Sequence, residues 1–257
     1  MKTTKKAIYS EYGIKYKDGK ILSPLGWIPE LLKEGNSKTG KAVYTWSLLP
    51  GTDDYNVGIL GNVRGTCVCD CNGCYAKTGF YRMKNVLFSL GINTYLADYY
   101  LDFVKHAIMA QLTILGSGEI RIHASGDFNT INSETYANMW YDIAVYFPAF
   151  RFWTYTKIKK YENLFDDLTN ANIVKSIIPH IGVNYGHCDY IINAYYTLLS
   201  LGCSVYICKC GFDDEQHCER CGVCASYDFV LFLEHSTGYN GKEDILYPKL
   251  YEIVMNQ

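Results

Sequence analysis

A chain of 257 residues, 49% apolar and with a formal charge of −2, is long enough to bury one core of α/β-barrel size or two smaller ones. That charge balance excludes the global basic field of a dedicated nucleic-acid binder, and no stretch approaches the length of a membrane span. Eleven cysteines behind a start, MKTTKKAIYSEYG, that has charge but no apolar run of a signal peptide point to a cytoplasmic protein using thiols as metal ligands rather than disulfides.

Residues 1–41 form a basic N-terminal extension, with nine lysines against Glu11, Asp18, Glu30 and Glu34. Such an arm either touches phosphates or is a solvated surface. GNSKTGK, Gly35 to Lys41, nearly spells a phosphate-binding loop. Ala42 stands where the magnesium-binding hydroxyl belongs, and the flanking residues are neither a buried strand nor a helix, so a turn into a strand is expected. Ala42–Leu49 reads as that strand, and a glycine-rich loop leads from it to GTCVCDCNGCYAKTG.

Cys67, Cys71 and Cys74 in this loop stand at C-x3-C-x2-C, with Cys69 between the first two. Three thiolates so close reach one metal only if the backbone curls, and Gly65, Asn72 and Gly73 permit that. Two readings stay open: three cysteines hold an iron–sulfur cluster with one iron open, or all four close a tetrathiolate zinc site.

Phe80–Leu90 is expected as a short helix and Thr94–Leu115 as a longer one, with Leu96, Tyr100, Phe103, Ala107, Ala110 and Ile114 at helical spacing. Strands at Ile120–Ala124, Arg151–Thr156, Val174–Val183, Cys203–Ile207 and Phe229–Glu234 then alternate with helices. Those helices are Ser133–Phe147, Lys159–Leu168, Asp189–Leu201 and Asp244–Asn256. Six strands alternating with helices imply a parallel sheet with right-handed crossovers in one core domain, residues 42–257.

Ligands of parallel sheets bind at the carboxyl ends of the strands. Candidates there are His123, Ser125, Gly126 and Asp127 after the second strand, Thr154 and Thr156 closing the third, and Asn184 after the fourth. Asp127 either meets an ammonium group or satisfies loop amides; His123 either moves protons or packs. Farther on, Cys208, Cys210, Cys218, Cys221 and Cys224 set five thiols within seventeen residues, enough for a closed four-ligand site.

The C-x3-C-x2-C loop directly after a first strand resembles the cluster signature of the radical S-adenosylmethionine (SAM) superfamily. The resemblance implies an α/β fold of partial (β/α)6 TIM-like barrel type with a C-terminal Cys-rich metal-binding segment, residues 203–224. It also implies a [4Fe–4S] cluster on Cys67, Cys71 and Cys74 and reductive cleavage of SAM to a 5′-deoxyadenosyl radical. SAM would be held by His123, Ser125, Gly126, Asp127, Thr154, Thr156 and Asn184. An electron donor such as flavodoxin or ferredoxin and an unknown substrate would be the partners, and the distal cysteines would hold an auxiliary [4Fe–4S] cluster or zinc. In order along the chain, GNSKTGK, CYA, RIHASGDF, RFWTYTK and a terminal C-x2-C-x2-C resemble the gene product eighty-eight family of phages and mobile elements. The other expectation is a non-catalytic zinc or iron–sulfur protein, contacting nucleic acid through Lys38 and Lys41.

Overall fold

The computed structural model of the chain describes residues 4–35, 41–68, 75–77, 79–175, 177–178, 182–183, 185–186, 188–208, 227, 229–233, 252–253 and 256. Thr4 caps the first helix, α1 (Lys5–Glu11), by accepting from the Ala7 N–H at 3.3 Å. An antiparallel meander follows, β1 (Tyr16–Lys17), β2 (Lys20–Ser23) and β3 (Gly26–Pro29). Asp18 and Gly19, both at positive φ, make the first turn, the Asp-Gly chemistry that tight hairpins select. Tyr9, Ile14, Ile21, Ile28, Leu31 and Leu32 from this region enter the main hydrophobic core. The residues expected as a basic extension are thus folded against the rest of the chain.

The main sheet is built from β4 (Lys33–Glu34), β5 (Val43–Trp46), β8 (Gly118–Ile122), β9 (Phe150–Thr156) and β10 (Ala171–Lys175), once a small hairpin, β6 (Asp54–Asn56) and β7 (Asn62–Arg64), has carried the chain past β5. Neighbours in space are neighbours in chain order: β4 pairs antiparallel with β5, and β5, β8, β9 and β10 run parallel. The crossovers are α2 (Lys84–Tyr99) with α3 (Leu101–Leu115), then α4 (Ser133–Tyr146). Beyond β10 come β11 (Ile177–Ile178) and β12 (Gly182–Val183), an antiparallel pair, then β13 (Tyr185–Gly186), α5 (Cys188–Ser200), β14 (Val205–Ile207) and β15 (Phe229–Leu233). The last strands form a second parallel sheet in the order β13-β15-β14, and among the described residues no hydrogen-bonded ladder joins it to the first.

Alternation along the strands assigns two faces. Trp46, Ile120, Ile122, Phe150, Phe152 and Ile173 look into the core with Val104, Ala107 and Ile108 of α3 and Trp140 and Ile143 of α4. Each such fully buried side chain contributes roughly 1.5–3 kcal/mol. The opposite face carries Glu119, Arg121, Arg151, Trp153, Tyr155 and Val174. There the Arg121 guanidinium lies 5.2 Å from the Trp153 ring centre and 5.6 Å from that of Tyr155. Tyr155 and Val174 share a cluster with Tyr206, Val230, Tyr227 and Cys208, so the second sheet packs on this side.

Four expected elements differ. The strand expected at Val174–Val183 begins earlier, as β10 from Ala171 to Lys175, and β11 and β12 beyond it form a separate antiparallel pair. The long helix from Thr94 to Leu115 is two helices broken at Tyr100, where φ is −138° and ψ 45°; the apolar stripe runs through the break and conceals it. Residues 80–83 belong to a 3-10 turn, Gly79–Arg82, and to the residue preceding α2, which starts only at Lys84. The expected helix at Lys159–Leu168 is a 3-10 turn, Lys159–Tyr161, continued by i-to-i+3 turns at Leu164, Asp166 and Leu168. Apolar residues spaced by three align on such turns as they do on an α-helix. The last expected helix, from Asp244, lies almost entirely outside the described residues.

Candidate functional site

The carboxyl edge of the parallel sheet is where the chain gathers its candidate residues. Past β5, the Leu48 N–H donates to the Ser125 carbonyl at 2.9 Å and the Ala124 N–H donates to the Trp46 carbonyl at 3.0 Å. The segment returning from β7 then lies beside residues 49–51. Thr66 N–H donates to Leu49 O at 2.9 Å, and Cys67 N–H to Gly51 O at 3.0 Å. Asn129 closes the third side, its N–H on Thr66 O at 3.2 Å and its amide on Cys67 O at 3.3 Å. Cys67 is thus pinned, half-buried and not disulfide-bonded, at the edge where the sheet presents its strand ends.

Gly65 allows this approach, because a Cβ there would sit 2.4 Å from the carbonyl oxygens of both Pro50 and Gly51. Cys69, Cys71 and Cys74 lie outside the described residues. The chain is described again at Tyr75–Lys77, a 3-10 turn whose Lys77 pairs with Asp53 at 2.8 Å. Among the described residues no group of three or more His, Cys, Asp or Glu gathers as a metal site.

The polar side chains of the strand ends are brought together, and they satisfy one another. The Asp127 carboxylate accepts from the Thr156 hydroxyl (2.7 Å), the Phe128 N–H (2.8 Å) and the Lys157 N–H (2.9 Å). Ser125 donates to Leu48 O at 2.8 Å. The Asp127 N–H donates to the Thr66 hydroxyl, which itself donates to Leu49 O. Gly126, at φ +82°, has no room for a Cβ between Thr66 Oγ1 and Leu48 Cβ. Burial pushes the Asp127 carboxyl up to about 6, against the pull of its three donors and the Lys157 charge. Asp127 therefore ties the ends of β8 and β9 together and satisfies loop amides. Thr66 and Asn129, which the sequence reading passed over, complete the tie; the place of Thr66 directly before Cys67 was the available signal.

His123 is buried at 3% exposure and stands at φ +59°, where β8 leaves the sheet. Trp46 Nε1 donates to the Tyr136 hydroxyl oxygen at 2.7 Å, and that hydroxyl shares a hydrogen bond with His123 Nε2 at 2.8 Å. Thr154 Oγ1 lies 3.5 Å from His123 Nδ1 and donates to Tyr155 O. Both nitrogens of the His123 ring thus have a hydroxyl partner inside the core. Desolvation pushes its pKa down to about 3. The unfolded chain takes up this proton near 6.5, so the stability His123 contributes is present above 6.5 and is lost as the pH falls toward 3. We expect the ring nitrogen NMR shifts of His123 to stay constant from about pH 8 to about pH 4. An inflection near its ordinary value would show the pocket to be open to water. Packing, not proton transfer, is what this geometry provides.

Of the distal cysteines, Cys208 is half-buried, with its N–H on Leu231 O at 2.8 Å and its side chain against the cluster of Val174, Tyr206 and Val230. Cys210, Cys218, Cys221, Cys224 and Asn184 lie outside the described residues. The distal motif thus begins against the sheet face that carries Tyr155, next to the Arg121 stack.

No helix among the described residues is long and apolar enough to cross a membrane. No curated protein and no solved structure matches the chain. One family model does: that described as Gene product 88 matches residues 30–179, a span holding every strand of the main sheet and both halves of the Asp127 tie. It also contains GNSKTGK, CYA, RIHASGDF and RFWTYTK, whereas the terminal C-x2-C-x2-C lies beyond its end. With more than half of its length matched, and four ordered motifs inside the match, the chain belongs to the gene product 88 family.

Proposed function

We propose that this protein is an iron–sulfur enzyme of radical SAM type, built on a partial (β/α)6 barrel whose last two strands are β14 and β15. The observation that carries the reading is the placement of Cys67. It is the first thiol of C-x3-C-x2-C, and it is fixed by its N–H on the Gly51 carbonyl and by the Asn129 side-chain amide on its own carbonyl, at the carboxyl edge of parallel strands laid down in chain order. Three thiolates suit iron–sulfur chemistry, and a cluster held by Cys67, Cys71 and Cys74 would supply the reducing electron for SAM cleavage. What the chain itself does at this edge is orient Cys67 and hold the loops from β5, β7 and β8 against one another.

Of the seven SAM ligands expected from sequence, three already bond within the chain. Ser125, Asp127 and Thr156 are committed to Leu48, to loop amides and to each other. That favours, as a second reading, an iron–sulfur redox or sensor protein that does not bind SAM.

One experiment separates these readings. After oxygen-free reconstitution, iron and acid-labile sulfide are counted per chain, and a reductant with SAM is assayed for 5′-deoxyadenosine. We expect both elements to bind in the intact chain and to fall to background at the first site in Cys67→Ala, with 5′-deoxyadenosine formed only by the intact protein. Cluster without 5′-deoxyadenosine establishes the second reading. Zinc with no sulfide in either cysteine group overturns both and leaves the metal-stapled binding protein, whose nucleic-acid affinity would then fall with salt and with neutralisation of Lys38 and Lys41.

A further inference from the structure

The break between α2 and α3 opens a surface cavity of about 470 Å³ lined by Asp98, Tyr99, Tyr100, Asp102, Phe103 and Asn132. None of the described residues lining it is basic. The nearest lysine on α3, Lys105, is engaged by Asp142 at 2.7 Å. Asp98 is 9% exposed, and its Oδ1 accepts from the Ile131 N–H at 2.8 Å. Its second carboxylate oxygen meets no donor among the described residues, and burial pushes the carboxyl above its ordinary range.

The tyrosines at this cavity are placed, not stray. Tyr95 holds both of them, with ring centres 4.6 Å from Tyr99 and 6.3 Å from Tyr100, yet Tyr99 remains 58% exposed. Exposed tyrosine rings beside a carboxylate whose second oxygen has no donor among the described residues, with no basic residue in the described lining, attract a cation. A hard metal ion asks for six or more oxygens and gains nothing from ring faces, whereas a weakly hydrated organic ammonium uses both kinds of group.

We propose that this cavity binds the ammonium head of an organic cation, supplied either by a free polyamine or by a lysine side chain of a protein partner. The cavity owes nothing to the cysteine motifs, so this site stands or falls apart from the iron–sulfur reading. Asn132 closes one side of the cavity, its amide donating to the Asp98 carbonyl at 3.2 Å.

The test is calorimetric titration of the full chain, as purified and after metal reconstitution, with spermidine and separately with Nα-acetyl-lysine methylamide. We expect saturable binding unaffected by reconstitution. Asp98→Asn keeps the acceptor for Ile131 and should weaken binding roughly tenfold. Tyr99→Ala removes an exposed ring and should weaken it roughly fivefold. Tighter binding of spermidine identifies the free polyamine as the source, and tighter binding of the lysine amide identifies a protein partner. Failure of both probes to saturate overturns the site, as does equal affinity in the intact chain and Tyr99→Ala, a variant whose exposure leaves folding intact.

Discussion

Asp127→Ala should cost about 4 kcal/mol of stability at pH 5, because it strands three buried donors at once, each worth roughly 1–3 kcal/mol when left unpaired. The donors are the Thr156 hydroxyl and the N–H groups of Phe128 and Lys157, all aimed at one carboxylate that is 4% exposed. The deficit carries its own signature in pH. Folded Asp127 keeps its proton up to about 6, while in the unfolded chain it is released near 3.8. Between those values the folded state binds the proton more tightly. The stability Asp127 contributes is therefore complete below the lower value and drains as the pH rises through the upper one. Denaturant titrations of both proteins at several pH values should show the gap between them narrowing from pH 5 to pH 7. His123 titrates in both proteins alike and drops out of the difference. A gap under about 1 kcal/mol at pH 5 would mean that water replaces the carboxylate, and that the β8–β9 tie is weaker than its geometry.

The second large effect belongs to Gly65→Ala. The added Cβ would meet backbone oxygens at 2.4 Å, and backbone atoms, unlike a side-chain tip, do not swing away. Overpacking of this kind costs about 3 kcal/mol or more, and here the strain falls on the residues that hold Cys67. Gly61→Ala is the control: its φ of +71° is unfavourable for alanine, but nothing lies within 4 Å of the new Cβ. Roughly 1–3 kcal/mol is expected there, because with ψ at −147° the residue occupies a region ordinarily open to glycine alone. Thermal melts should rank the variants in that order. Equal losses in the two would show that the approach of residues 50 and 51 to residue 65 is loose.

How much of this was readable in the chain depends on the kind of signal. Strands such as Phe150–Thr156 were legible, because β-branched and aromatic runs bounded by turns are a local pattern. The helix break at Tyr100 was not, since an apolar stripe of period 3.6 keeps its phase across one residue of altered backbone. The N-terminal meander was hidden by its lysines, which dominate the composition of that stretch while Ile21 and Ile28 point inward. For the candidate site, the sequence indicated which polar residues collect at the strand ends. It did not indicate whom they bond. Asp127 facing a ligand and Asp127 facing Lys157 are the same letters, and only the register of β8 against β9 distinguishes them. Tyr136 shows the same limit: it sits on an ordinary helical stripe, and its bond to His123 exists only after the crossover packs.

The strand order of the main sheet also bears on synthesis. Because β5, β8, β9 and β10 lie side by side in the sequence in which they are translated, each emerging strand meets a template already in place. No ladder position has to be kept vacant for a segment still inside the ribosome. Cys208 emerges after these strands, so the sheet face that carries Tyr155 and Val174 is already assembled when it arrives.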